Sequence, residues 1–217
     1  LILVIFTFVV IAAIVVVVVT VPILKIYPYL NPISRVRARK GRLLTEKQIS
    51  ELVETSDISE VENYLSGIPD YSDIAEGESV EKTLDTKMGE TYDVVARLVP
   101  KDIAPAFKVF SKKSDISNIK SLLAAKAVGL NQDETSDLLI PTGKLYEDIE
   151  RLTDVNSVND VVAGLDNTEY ANVLSEALPI YEEKKVLLPL DSALDKYYLQ
   201  SLLKARVVPS EANTGIL

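Results

Sequence analysis

Asp115-Ile-Ser-Asn-Ile-Lys-Ser-Leu-Leu-Ala-Ala-Lys-Ala-Val-Gly-Leu130 sets the architecture of this chain, because it reads as a helix and its centre returns 80 positions later. Ser121-Leu-Leu-Ala-Ala-Lys126 recurs as Ser201-Leu-Leu-Lys-Ala-Arg206. Leu84-Asp85-Thr86 and Tyr92 lie upstream of the first copy, and Leu190-Asp191-Ser192 and Tyr197-Tyr198 lead into the second. A weaker match sets Arg37-Ala38-Arg39 and Leu43-Leu44-Thr45-Glu46 beside Ala124-Ala125-Lys126 and Leu130-Asn131-Gln132. Farther on, Val61, Leu65 and Tyr71 pair with Val161, Leu165 and Tyr170. The reading is a helical module, a second like it, and the opening of a third. Chance is the competing account, since Leu, Ala and Lys are frequent in any helix.

The composition agrees with helix. Of 217 residues only 8 are Gly, none is Trp, and the Val surplus lies mostly in the first 21 positions; the remainder is rich in Leu, Glu, Lys, Ala and Asp. With no Cys there is no disulfide or thiol chemistry, and with no His the commonest general base and metal ligand is missing. The net charge of -9 conceals a division: residues 1–45 carry +6 and no acid, leaving -15 on the rest. So acidic a body repels phosphate backbones, which argues against a nucleic-acid partner.

Leu1 to Leu24 is apolar but for Thr7, Thr20 and Pro22. As a helix rising about 1.5 Å per residue it reaches roughly 36 Å, enough to span a bilayer. A signal peptide is the alternative, but its apolar core would be shorter and no Ala-x-Ala cleavage pattern follows. Tyr27 and Tyr29 then fall where a headgroup zone begins. The cations Lys25, Arg35, Arg37, Arg39, Lys40 and Arg42 all follow the span, which puts the body in the cytoplasm at the cell membrane. They form either a cluster that snorkels to anionic lipid or a surface that grips carboxylates on a membrane partner.

Local signals divide the rest. Asn31-Pro32 predicts the start of a separate helix over 33–44. Capping patterns at Thr45-Glu-Lys-Gln48 and Asp57-Ile-Ser-Glu60 predict short helices near 46–54 and 58–66. A long helix over 79–98 puts Val80, Leu84, Met88 and Val95 on one side. A brief helix holds Phe107 and Phe110, and Asp115 caps a new one that Gly129 closes. Asn131-Gln-Asp-Glu134 has capping-box spacing, and helices near 145–152, 158–165 and 169–178 follow, the last ended by Pro179. No strand pattern lasts. The expected class is all-α: a transmembrane helix over 1–24, a first helical domain over 25–110, a second over 111–187, and the start of a third over 188–217.

Catalytic chemistry finds little support. No two glycines stand two apart, so no dinucleotide or Walker-type loop can be drawn, and no cofactor is expected. Asp133-Glu134 and Glu182-Glu183 lie among lysines on polar faces, as solvated surface does. Tyr64, Tyr71, Tyr146, Tyr170 and Tyr181 read as half-buried packing residues with hydroxyls at the surface.

Residues 27–44, 65–71, 115–130 with Ile140-Pro-x-Gly143, and 165–170, taken as an ordered set, resemble the C subunit of the archaeal A-type ATP synthase, the relative of the d subunit of vacuolar-type ATPases. The likeness is nearest to the methanogen form, which also has an N-terminal hydrophobic helix. It implies three similar helical domains in a pseudo-threefold funnel, of which this chain would be a fragment stopping just inside the third. It further implies a non-catalytic rotor part that couples the proteolipid ring to the D and F subunits of the central stalk, and through them to the catalytic A and B subunits, beside membrane lipid. Without the resemblance, a membrane-anchored helical scaffold or adaptor is the alternative, and a membrane-bound hydrolase using carboxylates a weaker third.

Overall fold

The computed structural model describes residues 2–76, 79–101 and 103–205. Among the described residues there are ten α-helices, two 3-10 segments and no strand, so the all-α expectation holds. The helices are α1 (Ile2–Lys40), α2 (Glu46–Val53), α3 (Ile58–Ser66), α4 (Val80–Leu98), α5 (Ala104–Val128), α6 (Gln132–Asp137), α7 (Tyr146–Arg151), α8 (Val158–Gly164), α9 (Ala171–Lys184) and α10 (Leu188–Lys204).

Capping chemistry read from the sequence sets several starts. Thr45 and Asn131 each complete a reciprocal capping box, with Gln48 and Glu134 respectively. The Asp57 carboxylate accepts the Ser59 N–H, Ser79 caps α4, and Ser157 caps α8. Each such cap contributes about 1 kcal/mol.

Three expected breaks are absent. The helix expected over 33–44 is not separate: α1 runs through Pro22, Pro28 and Pro32 to Lys40. Proline's fixed φ is helical, so each ring costs one hydrogen bond and some steric strain, which flanking turns can bridge. Likewise α9 passes Pro179 and ends at Lys185, whose φ of 53° is the left-handed conformation that closes a helix. Most consequential is α5, which begins at Ala104 with Pro105 in its first turn and continues through Asp115. Asp115 is therefore no cap, and it is buried.

The core gathers round α5. Ile116, Ile119, Leu122, Leu123 and Ala125 recur at helical spacing on its inner face. The first four pack with Leu139, Ile149 of α7, Val158, Val161 and Val162 of α8, Leu165, Tyr170, Leu174 of α9, and Leu190 and Leu194 of α10. Fully burying each large apolar side chain contributes about 1.5–3 kcal/mol. The N-terminal side is thinner. There α2 buries no residue, and Leu65 is the buried residue of α3. On α4 the buried positions are Thr83, Gly89 and Val95, so Leu84, expected in a core stripe, is exposed.

The repeat has a partial structural counterpart. A long helix followed by a box-capped short one occurs twice, as α1–α2 and α5–α6, and Leu65 and Leu165 are both buried at the C-terminal end of a short helix, Leu65 within α3 and Leu165 just past α8. The upstream pairing does not carry over: Leu84 and Ser121 lie on two helices, whereas Leu190 and Ser201 share α10. Arg206 and the tail lie outside the described residues.

Candidate functional site

Two places concentrate polar chemistry. The first is a groove of about 710 Å³ where the end of α1 and the turn after it face α4. Val36, Arg39, Lys40, Arg42 and Leu43 form one wall, and Leu84, Lys87, Met88, Tyr92 and Val95 form the other. Pro69, Asp70 and Tyr71 also line the groove. The wall from α1 is amphipathic by spacing: Val36 lies three and four residues before Arg39 and Lys40 and shares a side with them, and Leu43 joins it from the turn that follows.

All six cations marked by the sequence are exposed. They divide by position: Arg39, Lys40 and Arg42 line the groove, whereas Lys25, Arg35 and Arg37 do not. Arg42 reaches Asp70 at 3.8 Å with both side chains well exposed, a pair worth at most about 1 kcal/mol. Arg35, Arg37, Arg39 and Lys40 have no ion-pair partner among the described residues. Of the two interface tyrosines, Tyr27 is 70% exposed and Tyr29 is half-buried. Leu84, Lys87 and Met88 join the site only through the fold, and their i, i+3, i+4 spacing on α4 is the signal in the sequence that offers them.

The second place is a buried polar seam along α5. The Asp115 carboxylate, 1% exposed, accepts the Leu145 N–H at 2.9 Å and the Tyr170 hydroxyl at 3.3 Å. One turn on, the Asn118 amide accepts the Ile140 N–H and donates to the Ile140 and Thr142 carbonyls. Two turns farther, Lys126 donates to the Leu130 carbonyl and to Thr135 Oγ1. These side chains pin the loop 130–145 to α5 by satisfying backbone groups that helices leave unpaired. Gly143, at φ 106°, lets the loop come close: a Cβ there would lie 2.4 Å from Asp115 Oδ1. Burial pushes the Asp115 carboxyl above its ordinary value, against its hydrogen bonds with Leu145 and Tyr170. Burial and then the Asp115 charge push the Tyr170 phenol up.

Asp115, expected as a helix cap, and Tyr170, expected half-buried with its hydroxyl at the surface, are thus both buried, whereas Asp133, Glu134, Glu182 and Glu183 are exposed as expected. Beside them Lys112 donates to Glu169 and to the Tyr197 hydroxyl, and Tyr197 donates to Glu169, so α5 and α10 are tied across the same seam.

Fold and site together define a helical protein whose first helix holds a stretch long and apolar enough to cross a membrane, with nothing buried in its most apolar window, and whose body is pinned by buried polar bonds. The chain belongs to the ATP synthase (C/AC39) subunit family, whose model matches residues 32–215. It is 57% identical over 209 residues to the A-type ATP synthase C subunit of Methanobrevibacter smithii, covering 96% of this chain and 54% of that one. The C subunits of Methanothermobacter thermautotrophicus and Methanosphaera stadtmanae are 48% and 42% identical over 208 residues, with the same coverage. The chain therefore spans about half the length of these relatives. No solved structure matches it.

Proposed function

We propose that this chain acts as a non-catalytic, membrane-proximal element of an A-type ATP synthase, coupling a proteolipid rotor ring to the central stalk. The observation that carries this reading is a long, largely exposed apolar helix, joined by a short turn to a helical body whose second half is pinned by buried polar bonds. Torque passes only through a part that resists shear, and dense packing with satisfied buried polar groups supplies that resistance. Its stalk-side partners are the D and F subunits, and it acts on the catalytic A and B subunits through them. The cations beyond the span favour a body on the cytoplasmic side. Domain limits at 24, 110 and 187 belong to this proposal too. Since α5 crosses 110 without interruption, the first two domains would share a helix and move as one.

Co-expression with the ring and stalk subunits tests it. The chain is expected to co-purify at one copy per complex, and a photocrosslinker at Val15 to attach to the ring's inner helices. A chain that stays in the membrane without ring or stalk subunits would support the scaffold alternative instead.

A further inference from the structure

We propose that the groove between α1 and α4 docks an acidic, amphipathic peptide segment of a partner chain. Arg39, Lys40 and Arg42 would take its carboxylates, and Leu43, Leu84 and Met88 its apolar side chains. The inference rests on the reading of this chain as a subunit of a membrane complex, and adds to it a partner chemistry and a place.

Charge supplies the first argument. On a chain of net charge -9, three cations line one wall of the groove, against Asp70 and Glu90 as its lining acids. Arg39 and Lys40 hold no carboxylate among the described residues, and Asp70 sets a single one against Arg42 at 3.8 Å. An incoming carboxylate meets guanidinium donors built for two-point contact. Shape supplies the second. With Val36, Leu43, Leu84, Met88 and Val95 in its walls, the groove would leave this apolar surface wet around a small inorganic anion. An amphipathic segment uses both parts, with apolar anchors at helical spacing and acids along the edge.

Height separates a peptide from a bilayer lipid. With Tyr29 in the headgroup zone, Arg39 lies about 15 Å farther along α1, whereas the headgroup layer is only about 5–8 Å deep on each side. A helix tilt of about 40°, the top of the usual range, keeps roughly three quarters of that distance. Arg35, about 9 Å past Tyr29, stands nearer the headgroups than Arg39 does and can snorkel to them. The basic cluster thus serves two surfaces: Lys25 and Arg35 toward lipid, and Arg39, Lys40 and Arg42 toward the groove.

The test places a benzophenone amino acid at Leu84 of the full chain, co-expressed with the other subunits and purified in dodecyl maltoside. Irradiation and peptide mapping should find an adduct on one stretch of one partner that contains at least two acids and an apolar residue. Its yield should drop about tenfold in the Arg39→Gln/Arg42→Gln double variant, and stay unchanged in Lys113→Gln, on the exposed side of α5. Adducts to lipid alone, adducts indifferent to the double variant, or no adduct in an intact complex would each overturn the groove and leave the coupling role standing. A chain absent from the complex would sink both.

Discussion

Asp115 shows how one side chain can organise a loop. Its carboxylate answers a backbone N–H 30 residues away and a hydroxyl 55 residues away. Asp115→Ala orphans both donors at about 1–3 kcal/mol each, which chemical denaturation would register as a fall of several kcal/mol. The isosteric Asp115→Asn isolates the charge. Because the folded carboxyl titrates above its unfolded value, the folded state holds its proton more tightly. The proton's contribution is complete below the unfolded pKa and is lost as pH rises through the folded one. The stability of wild type relative to Asp115→Asn should therefore decline as pH climbs from about 4; a constant difference would mean that the carboxyl is not raised. No local reading could reach this role. Asp-Ile-Ser-Asn has the look of a helix start, and only the fold reveals that the helix began eleven residues earlier and that the acid faces inward. The partners of Tyr170 and Asn118 are invisible for the same reason: they lie far off in sequence.

At the scale of elements, what could be read was what is decided nearby. The boxes at Thr45 and Asn131 and the helices they start involve side chains three residues apart, which a sequence displays directly. The misplaced start at Pro32 and the misplaced stop at Pro179 come from a residue equally at home in a first turn or a tolerated interior, where neighbours decide. Position 89 shows a different local constraint. Gly89 lies where α4 meets the loop: a Cβ would stand 2.6 Å from Thr142 Oγ1 and 2.7 Å from Thr142 Cβ. Gly89→Ala is expected to destabilise by about 1–3 kcal/mol in urea titration, since overpacking forces α4 off the loop. Trimming Thr142 to Ala should not rescue it, because Cβ stays. Thr142→Val alone should be neutral or better, as the hydroxyl is buried without a partner.

For the whole molecule the stability is lopsided. The α5–α10 side holds nearly all of the fully buried large side chains, while α2 contributes none. Hydrogen exchange should therefore be slowest in α5 and α8, where opening exposes the common core, and fastest in α2. Leu122→Ala, at a fully buried site, should cost about 2–5 kcal/mol and speed exchange across α7 to α10 together. Uniform protection along the chain would contradict this. The helical class and the apolar first helix were legible because composition and hydropathy are sums over many residues. The groove was not, because it exists only where two segments some fifty positions apart come side by side.

The prolines of α1 give that rod a grain. Pro28 and Pro32 are four residues apart, so at 3.6 residues per turn their rings stand within about 40° of one side, while Pro22 lies about a third of a turn away. Each ring weakens the helix on its own flank, and two on the same flank make a shaft that flexes readily in one plane and stiffly across it. Turned from its lower end, such a shaft would not spin in place; its upper end would trace a circle.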